Sequence, residues 1–135
     1  MKVQLDEGAR MPTRAHTYDA GYDLYSPITA MIPARGSLVV DTGVHMQIPR
    51  GCAGVIHPRS SMNVKNGIIC QGLIDSGYTG SIKVKLVNTT CCEYMVMSGT
   101  RIAQIVIERI KTPALKLGKL RRTDRGDSGF GSTGK

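Results

Sequence analysis

Five polar or glycine-rich stretches carry the residues able to do chemistry, and most of them point toward phosphate. In "PRSSMNVKNG" (58–67), Arg59 precedes two hydroxyls at the start of a predicted short helix. The N–H groups and positive end of a helix favour an anion there, while Ser60 or Ser61 capping the helix is an equal reading. In "DAGYDLYS" (19–26), Asp23 is either a turn residue or a carboxylate that holds a metal ion through water. Gln104, in "GTRIAQIVIERI" (99–110), is an amide within an apolar run: an outward-facing strand residue, or a donor to phosphate. In "RGDSGFGSTG" (125–134), glycines let backbone N–H groups converge on phosphate oxygens, and Arg125, Ser132 and Thr133 add charge and hydroxyls. "GFGSTG" is not a Walker A loop, because it lacks the G-K-[ST] ending and no helix follows. In "GLIDSGYTGSIKVKLVN" (72–88), Asp75 ends an apolar strand and enters a tight turn. Gly77 and Gly80 either bring the backbone of a hairpin close to a ligand or belong to a plain hairpin with Asp75 as turn former.

These stretches interrupt a pattern of short strands. "GSIKVKLVN" (80–88) alternates Ile82, Val84 and Leu86 on one face with Lys83 and Lys85 on the other, a half-buried strand with a wet face. "SLVVDTGVHMQIP" (37–49), "CAGVIHP" (52–58), "GIICQGLID" (67–75) and "CEYMVMSGTRIAQIVIERI" (92–110) are also β-rich. Gly, Pro, Asn or Asp separates them, and "IPARG" and "IPRG" read as related turns. The one helical candidate is "SSMNVKN" (60–66). Many short strands with Gly/Pro turns predict an all-β sandwich or barrel, ending in a flexible arm.

The 135 residues predict one domain. Hydrophobic residues make up 41%, enough for one core without any Trp. No apolar run reaches the roughly 20 residues of a membrane span, and the start lacks a signal-peptide pattern, so a soluble cytoplasmic protein is expected. Cys52, Cys70, Cys91 and Cys92 lack zinc-site spacing and are expected to be reduced and mostly buried. The net charge of +8 suits a polyanion, and residues 119–135 place five Lys/Arg against two Asp. Little aromatic surface is present for stacking bases, so no specific nucleic acid is expected. His16, His45 and His57 show neither metal-ligand spacing nor a triad partner and read as structural or surface residues.

Together and in this order, the five stretches resemble the motifs of the trimeric deoxyuridine triphosphatases (dUTPases), from "AGYDL" to "GFGSTG". The resemblance implies a jelly roll or distorted β-barrel over residues 1–120, with a C-terminal arm (121–135) closing a neighbouring site. It implies a homotrimer with shared active sites and Mg²⁺-dependent hydrolysis of dUTP to dUMP and pyrophosphate, which limits uracil in DNA and supplies dUMP for thymidylate synthesis. On this resemblance Asp75 activates the attacking water, as a carboxylate can. Tyr78 lies beneath the deoxyribose, and backbone groups of Gly72, Leu73, Ile74 and Lys83 pair with uracil. Arg59, Ser60, Ser61 and Gln104 hold phosphate. Asp23 contacts Mg²⁺ through water, the ion otherwise sitting on substrate phosphates. Arg125, Gly131, Ser132 and Thr133 clamp the γ-phosphate, and Phe130 stacks over uracil.

The chain departs from the family pattern at Gly77, where some relatives carry a second acid, at Thr100, where many have Asp, and at Ser61, where many have Gly. The similar dCTP deaminases carry a glutamate where Lys85 stands here, so deamination lacks its proton shuttle. A regulator that docks a partner protein through the same site, and non-specific nucleic-acid binding through the +8 charge, are the alternatives.

Overall fold

A computed structural model describes residues 1–127. Eleven strands follow one another: β1 (Val3–Leu5), β2 (Gly21–Tyr25), β3 (Ala30–Ile32), β4 (Ser37–Asp41), β5 (Val44–Met46), β6 (Cys52–His57), β7 (Ile68–Ile69), β8 (Gly72–Asp75), β9 (Lys83–Asn88), β10 (Tyr94–Val96) and β11 (Arg101–Arg109). One helical turn, Ser61–Lys65, interrupts them. The strands form a four-stranded sheet in the order β2-β11-β6-β8, a three-stranded sheet β4-β9-β7, and the pairs β1-β5 and β10-β3. The all-β class is as the sequence implies. Among the described residues the sheets remain separate and do not close into a barrel.

The alternating patterns explain the packing. Along β9, Val84, Leu86 and Asn88 are buried while Lys83 and Lys85 are exposed, so the aliphatic face turns inward. β11 is the spine of the large sheet, with Ile102, Ala103 and Ile105 wholly buried. The fully buried side chains are mostly Ile and Val, which suit a pleated surface. Each such burial is worth about 1.5–3 kcal/mol. The buried polar groups are satisfied: Thr42 Oγ1 donates to Ile82 O at 2.7 Å, and Asn88 Nδ2 donates to Cys92 O at 2.7 Å.

Four expectations need correction. The stretch 19–26 is no interruption, since Gly21–Tyr25 is a largely buried edge strand. The helix at 60–66 narrows to one wide turn, and Ser60 does not cap it. Ser60 itself has helical dihedrals (φ −54°, ψ −41°), whereas a capping residue needs non-helical ones to swing its oxygen over the first turn. Strands β8 and β9 form no hairpin ladder: β8 pairs with β6 and β9 with β4 and β7. Of the thiols, only Cys70 is buried, and Cys91 and Cys92 are exposed on the bend that the Asn88 amide organises.

The related turns do form. Gly36 N–H donates to Pro33 O and Cys52 N–H to Pro49 O. The third residue of each has positive φ, +56° at Arg35 and +75° at Gly51, as type II turns require. Beyond β11 the chain leaves the sheets, with Leu115, Leu117 and Leu120 almost fully exposed.

Candidate active site

The large sheet brings the first group of polar residues together by register. Asp23 on β2 lies opposite Gln104 on β11, and Gln104 lies opposite His57 on β6. Directly opposed residues share a face, so one row across three strands carries a carboxylate, an amide and an imidazole. Two residues past His57, Arg59 turns back over this row. Its Nε lies 2.8 Å from Asp23 Oδ1, and Arg101 Nη1 lies 3.3 Å from Asp23 Oδ2. Gln104 Nε2 donates to Pro58 O at 3.3 Å. Its side chain lies over Gly21, where a Cβ would come within 2.7 Å of Gln104 Oε1.

Asp23, Arg59, Ser60, Ser61 and Gln104 thus line one cavity of about 440 Å³. Sequence reasoning missed three contributors. Asp19 also lines the cavity, and the His16 N–H, donating to its Oδ2 at 2.8 Å, holds its carboxyl below the usual carboxylate range. Gly21 leaves the room that Gln104 occupies. Arg101 grips Asp23, and the signal for it was a cation three residues before Gln104 in the same motif. Asp23 is a buried, ion-paired carboxylate within a strand rather than a turn residue.

A second cavity, about 240 Å³, is lined by Leu73, Ile74, Asp75, Tyr78 and Lys83. Strand β8 ends its sheet, so its outer edge carries no strand among the described residues. Strand β9 is covered on one side by β7 only at Val87 and Asn88, leaving that side open near Lys83. Among the described residues these two strand edges therefore carry no ladder beside the cavity. Tyr78 N–H donates to Asp75 O at 3.0 Å, closing the turn, and its hydroxyl donates to Ser81 O at 3.0 Å. The ring folds over Gly80, where a Cβ would lie 2.5 Å from the Tyr78 hydroxyl. Gly77 faces open space, so Asp75 is the acid of this turn.

The two groups share a face of one sheet but not a place. Asp75 lies opposite Ala53 and His57 opposite Gln104, four residues apart along β6. Asp23 and Asp75 sit on opposite edge strands, three strand spacings apart. At about 3.3 Å per residue and 4.8 Å per strand, they are roughly 20 Å apart. Arg125 lies exposed within a turn at 123–126. Phe130, Gly131, Ser132 and Thr133 lie outside the described residues.

A family model described as dUTPase matches residues 7–134. The chain belongs to the dUTPase family. Among curated dUTPases, the deoxyuridine 5'-triphosphate nucleotidohydrolase of Yarrowia lipolytica is 46% identical over 134 residues, covering 96% of this chain and 85% of that one. Among solved structures, the dUTPase of Staphylococcus bacteriophage 80alpha with dUPNHPP superposes with a TM-score of 0.91 at 32% identity, covering 99% of this chain and 98% of that one. The phage phi11 dUTPase, whose structure is described as revealing coordination of a structural Mg(II) ion, superposes at 0.83 with 30% identity over 88% of this chain and 96% of that one. The dUTPase motifs thus fall, in this chain, into two separated clusters, the first, second and fourth stretches in one cavity and the third in the other.

Proposed function

We propose that the chain is a dUTP diphosphatase whose active site is completed by facing copies of itself. The single observation behind this reading is the separation of the two clusters. One holds anion-binding groups, the other a carboxylate beside an open backbone edge, and neither can complete hydrolysis of a nucleoside triphosphate alone. A homotrimer that sets the first cavity of one subunit against the second cavity of its neighbour joins them.

In that joined site the open edges of β8 and β9 offer backbone N–H and C=O groups from Gly72, Leu73, Ile74 and Lys83 to the pairing edge of uracil. A base with a different donor pattern, such as cytosine, leaves buried groups unpaired and is rejected. The Tyr78 ring lies against the sugar, where a 2′-hydroxyl collides. Arg59, Ser60, Ser61 and Gln104 take the phosphates from the neighbouring subunit. Asp75 accepts a proton from water as its oxygen bonds to the α-phosphorus. The bond to the β-phosphate breaks, and pyrophosphate carries away the negative charge that Arg59 offsets. Arg125, Phe130, Gly131, Ser132 and Thr133 belong, on this reading, to a segment that covers the bound nucleotide and excludes water.

A divalent cation fits this donor set in one manner. Among the described residues no three His, Cys, Asp or Glu side chains cluster as a metal cage, and both oxygens of Asp23 already face guanidiniums. Mg²⁺ retains waters and takes ligands from phosphates, so Asp23 would hold it through water. When bound it neutralises phosphate charge.

Pyrophosphate release from dUTP, set beside UTP, dTTP and dCTP with and without Mg²⁺, tests the function. Turnover of dUTP at least about 100-fold above UTP is expected. Absence of pyrophosphate from dUTP, or ammonia from dCTP, overturns the reading.

A further inference from the structure

His45 is the most connected of the three histidines, and its contacts lead to the turn that carries Tyr78. Its Nδ1 lies 2.8 Å from Thr79 O. Its Nε2 lies 3.2 Å from each carboxylate oxygen of Asp6. The ring is about three-quarters shielded, with 24% of its side chain exposed. Asp6 is itself anchored, its N–H donating to Gly43 O at 2.9 Å. The chain between Asp75 and Ile82 is otherwise fastened at its ends. Tyr78 N–H closes onto Asp75, Ser81 Oγ donates to the Asp41 carboxylate, and Ile82 N–H donates to Val44 O at 2.8 Å. His45 is the strut to the middle of this loop, one residue from Tyr78.

Both partners of the imidazole are acceptors only. A neutral imidazole carries one N–H and turns a lone pair toward either the carbonyl or the carboxylate. The imidazolium carries two and satisfies both. We propose that His45 is a positioning residue for nucleotide specificity: as an imidazolium it ties the Thr79 carbonyl to Asp6 and so fixes the loop that presents Tyr78 to the sugar. This rests on the reading of Tyr78 given above.

The charged surroundings act in the same direction. Asp6 faces the ring from the segment after β1, and Asp41 lies at the end of β4. Lys2 lines a surface cavity of about 330 Å³ together with His45 and Thr79, and its positive charge opposes protonation of the ring. The loop itself brings Tyr78 as its only titratable side chain. The Thr79 carbonyl, then Asp6, raise the His45 pKa above the ordinary 6.5. The sign follows: the protonated strut is fully present below 6.5, and it is lost as pH rises through the higher folded-state value.

NMR of the intact protein reads this without catalysis. The His45 imidazole is expected to titrate above 6.5, with the amide signals of Thr79 and Gly80 following the same curve. Asp6→Asn should lower that midpoint. In steady-state assays, His45→Gln, which retains one donor, should raise KM for dUTP roughly three- to tenfold below the wild-type midpoint and narrow the dUTP/UTP ratio. Wild type should approach the variant as pH rises, and the variant's own profile should be flat there. A His45 midpoint at or below 6.5, or loop amides that ignore it, overturns the inference whatever the enzyme hydrolyses. A tracking loop in a protein inactive on dUTP would instead remove the functional reading and leave the strut standing. Superimposable pH profiles for wild type and His45→Gln would refute the specificity role.

Discussion

Asp75 and Asp23 are both carboxylates on one sheet face, and their surroundings give them different work. Asp75 stands at a strand end and lines an open cavity together with Lys83. Asp75→Asn keeps shape and hydrogen bonding but cannot take a proton. A loss of roughly 100- to 10,000-fold in kcat is expected, with nucleotide binding retained, as steady-state kinetics and calorimetry would show. Asp23 is clamped by Arg59 and Arg101. Asp23→Asn leaves two guanidiniums facing each other and should cost about 2–4 kcal/mol in denaturant unfolding. The thiols divide similarly: burial pushes Cys70 up to about 11, so alkylation of the native protein should label exposed Cys91 and Cys92 first, a selectivity that mass spectrometry can check. The residue types at these places were legible in the chain, and so was their order. The Asp23–Arg59–Arg101 clamp was not, because it forms only when three distant strands come into register.

Elements fix how closely side chains approach. The Tyr78 ring rests on Gly80 and the Gln104 amide on Gly21, and both glycines sit within motif stretches where sequence alone did not foretell these side-chain contacts. Gly80→Ala should displace the ring and reduce the preference for dUTP over UTP by about tenfold or more, measured as a ratio of kcat/KM values, with unfolding little changed. At the turn before β4, Arg35 holds φ +56° where the matching turn has glycine. Arg35→Gly should therefore raise stability by about 0.5–1 kcal/mol in chemical denaturation. Alternation foretold β9 because one face is buried and one is wet. It failed for β2, where Gly21, Asp23 and Tyr25 are buried along with Leu24, so polarity no longer reports which face is inside. It failed again for the pairing of β8 and β9, since adjacency in the chain does not decide which sheet a strand joins.

At the scale of the whole molecule, one chain carries both halves of the proposed site and holds them roughly 20 Å apart. On the proposed reading that distance makes assembly part of the chemistry, with an active site formed where two copies face each other. The exposed Leu115, Leu117 and Leu120 on the segment after β11 fit a chain that finishes its burial on a neighbour. The all-β class and the five stretches could be read from the sequence, but the separation between them could not, because it depends on sheet order. It is tested most directly by mixing two variants, Asp75→Asn and Arg59→Ala, each expected to be nearly inactive alone. After joint denaturation and refolding at equal amounts, about a quarter of the sites in randomly mixed trimers pair an intact Asp75 with a neighbour's intact Arg59. Pyrophosphate release from dUTP should then recover to roughly a quarter of the wild-type rate. A mixture no more active than its two components would contradict the shared site.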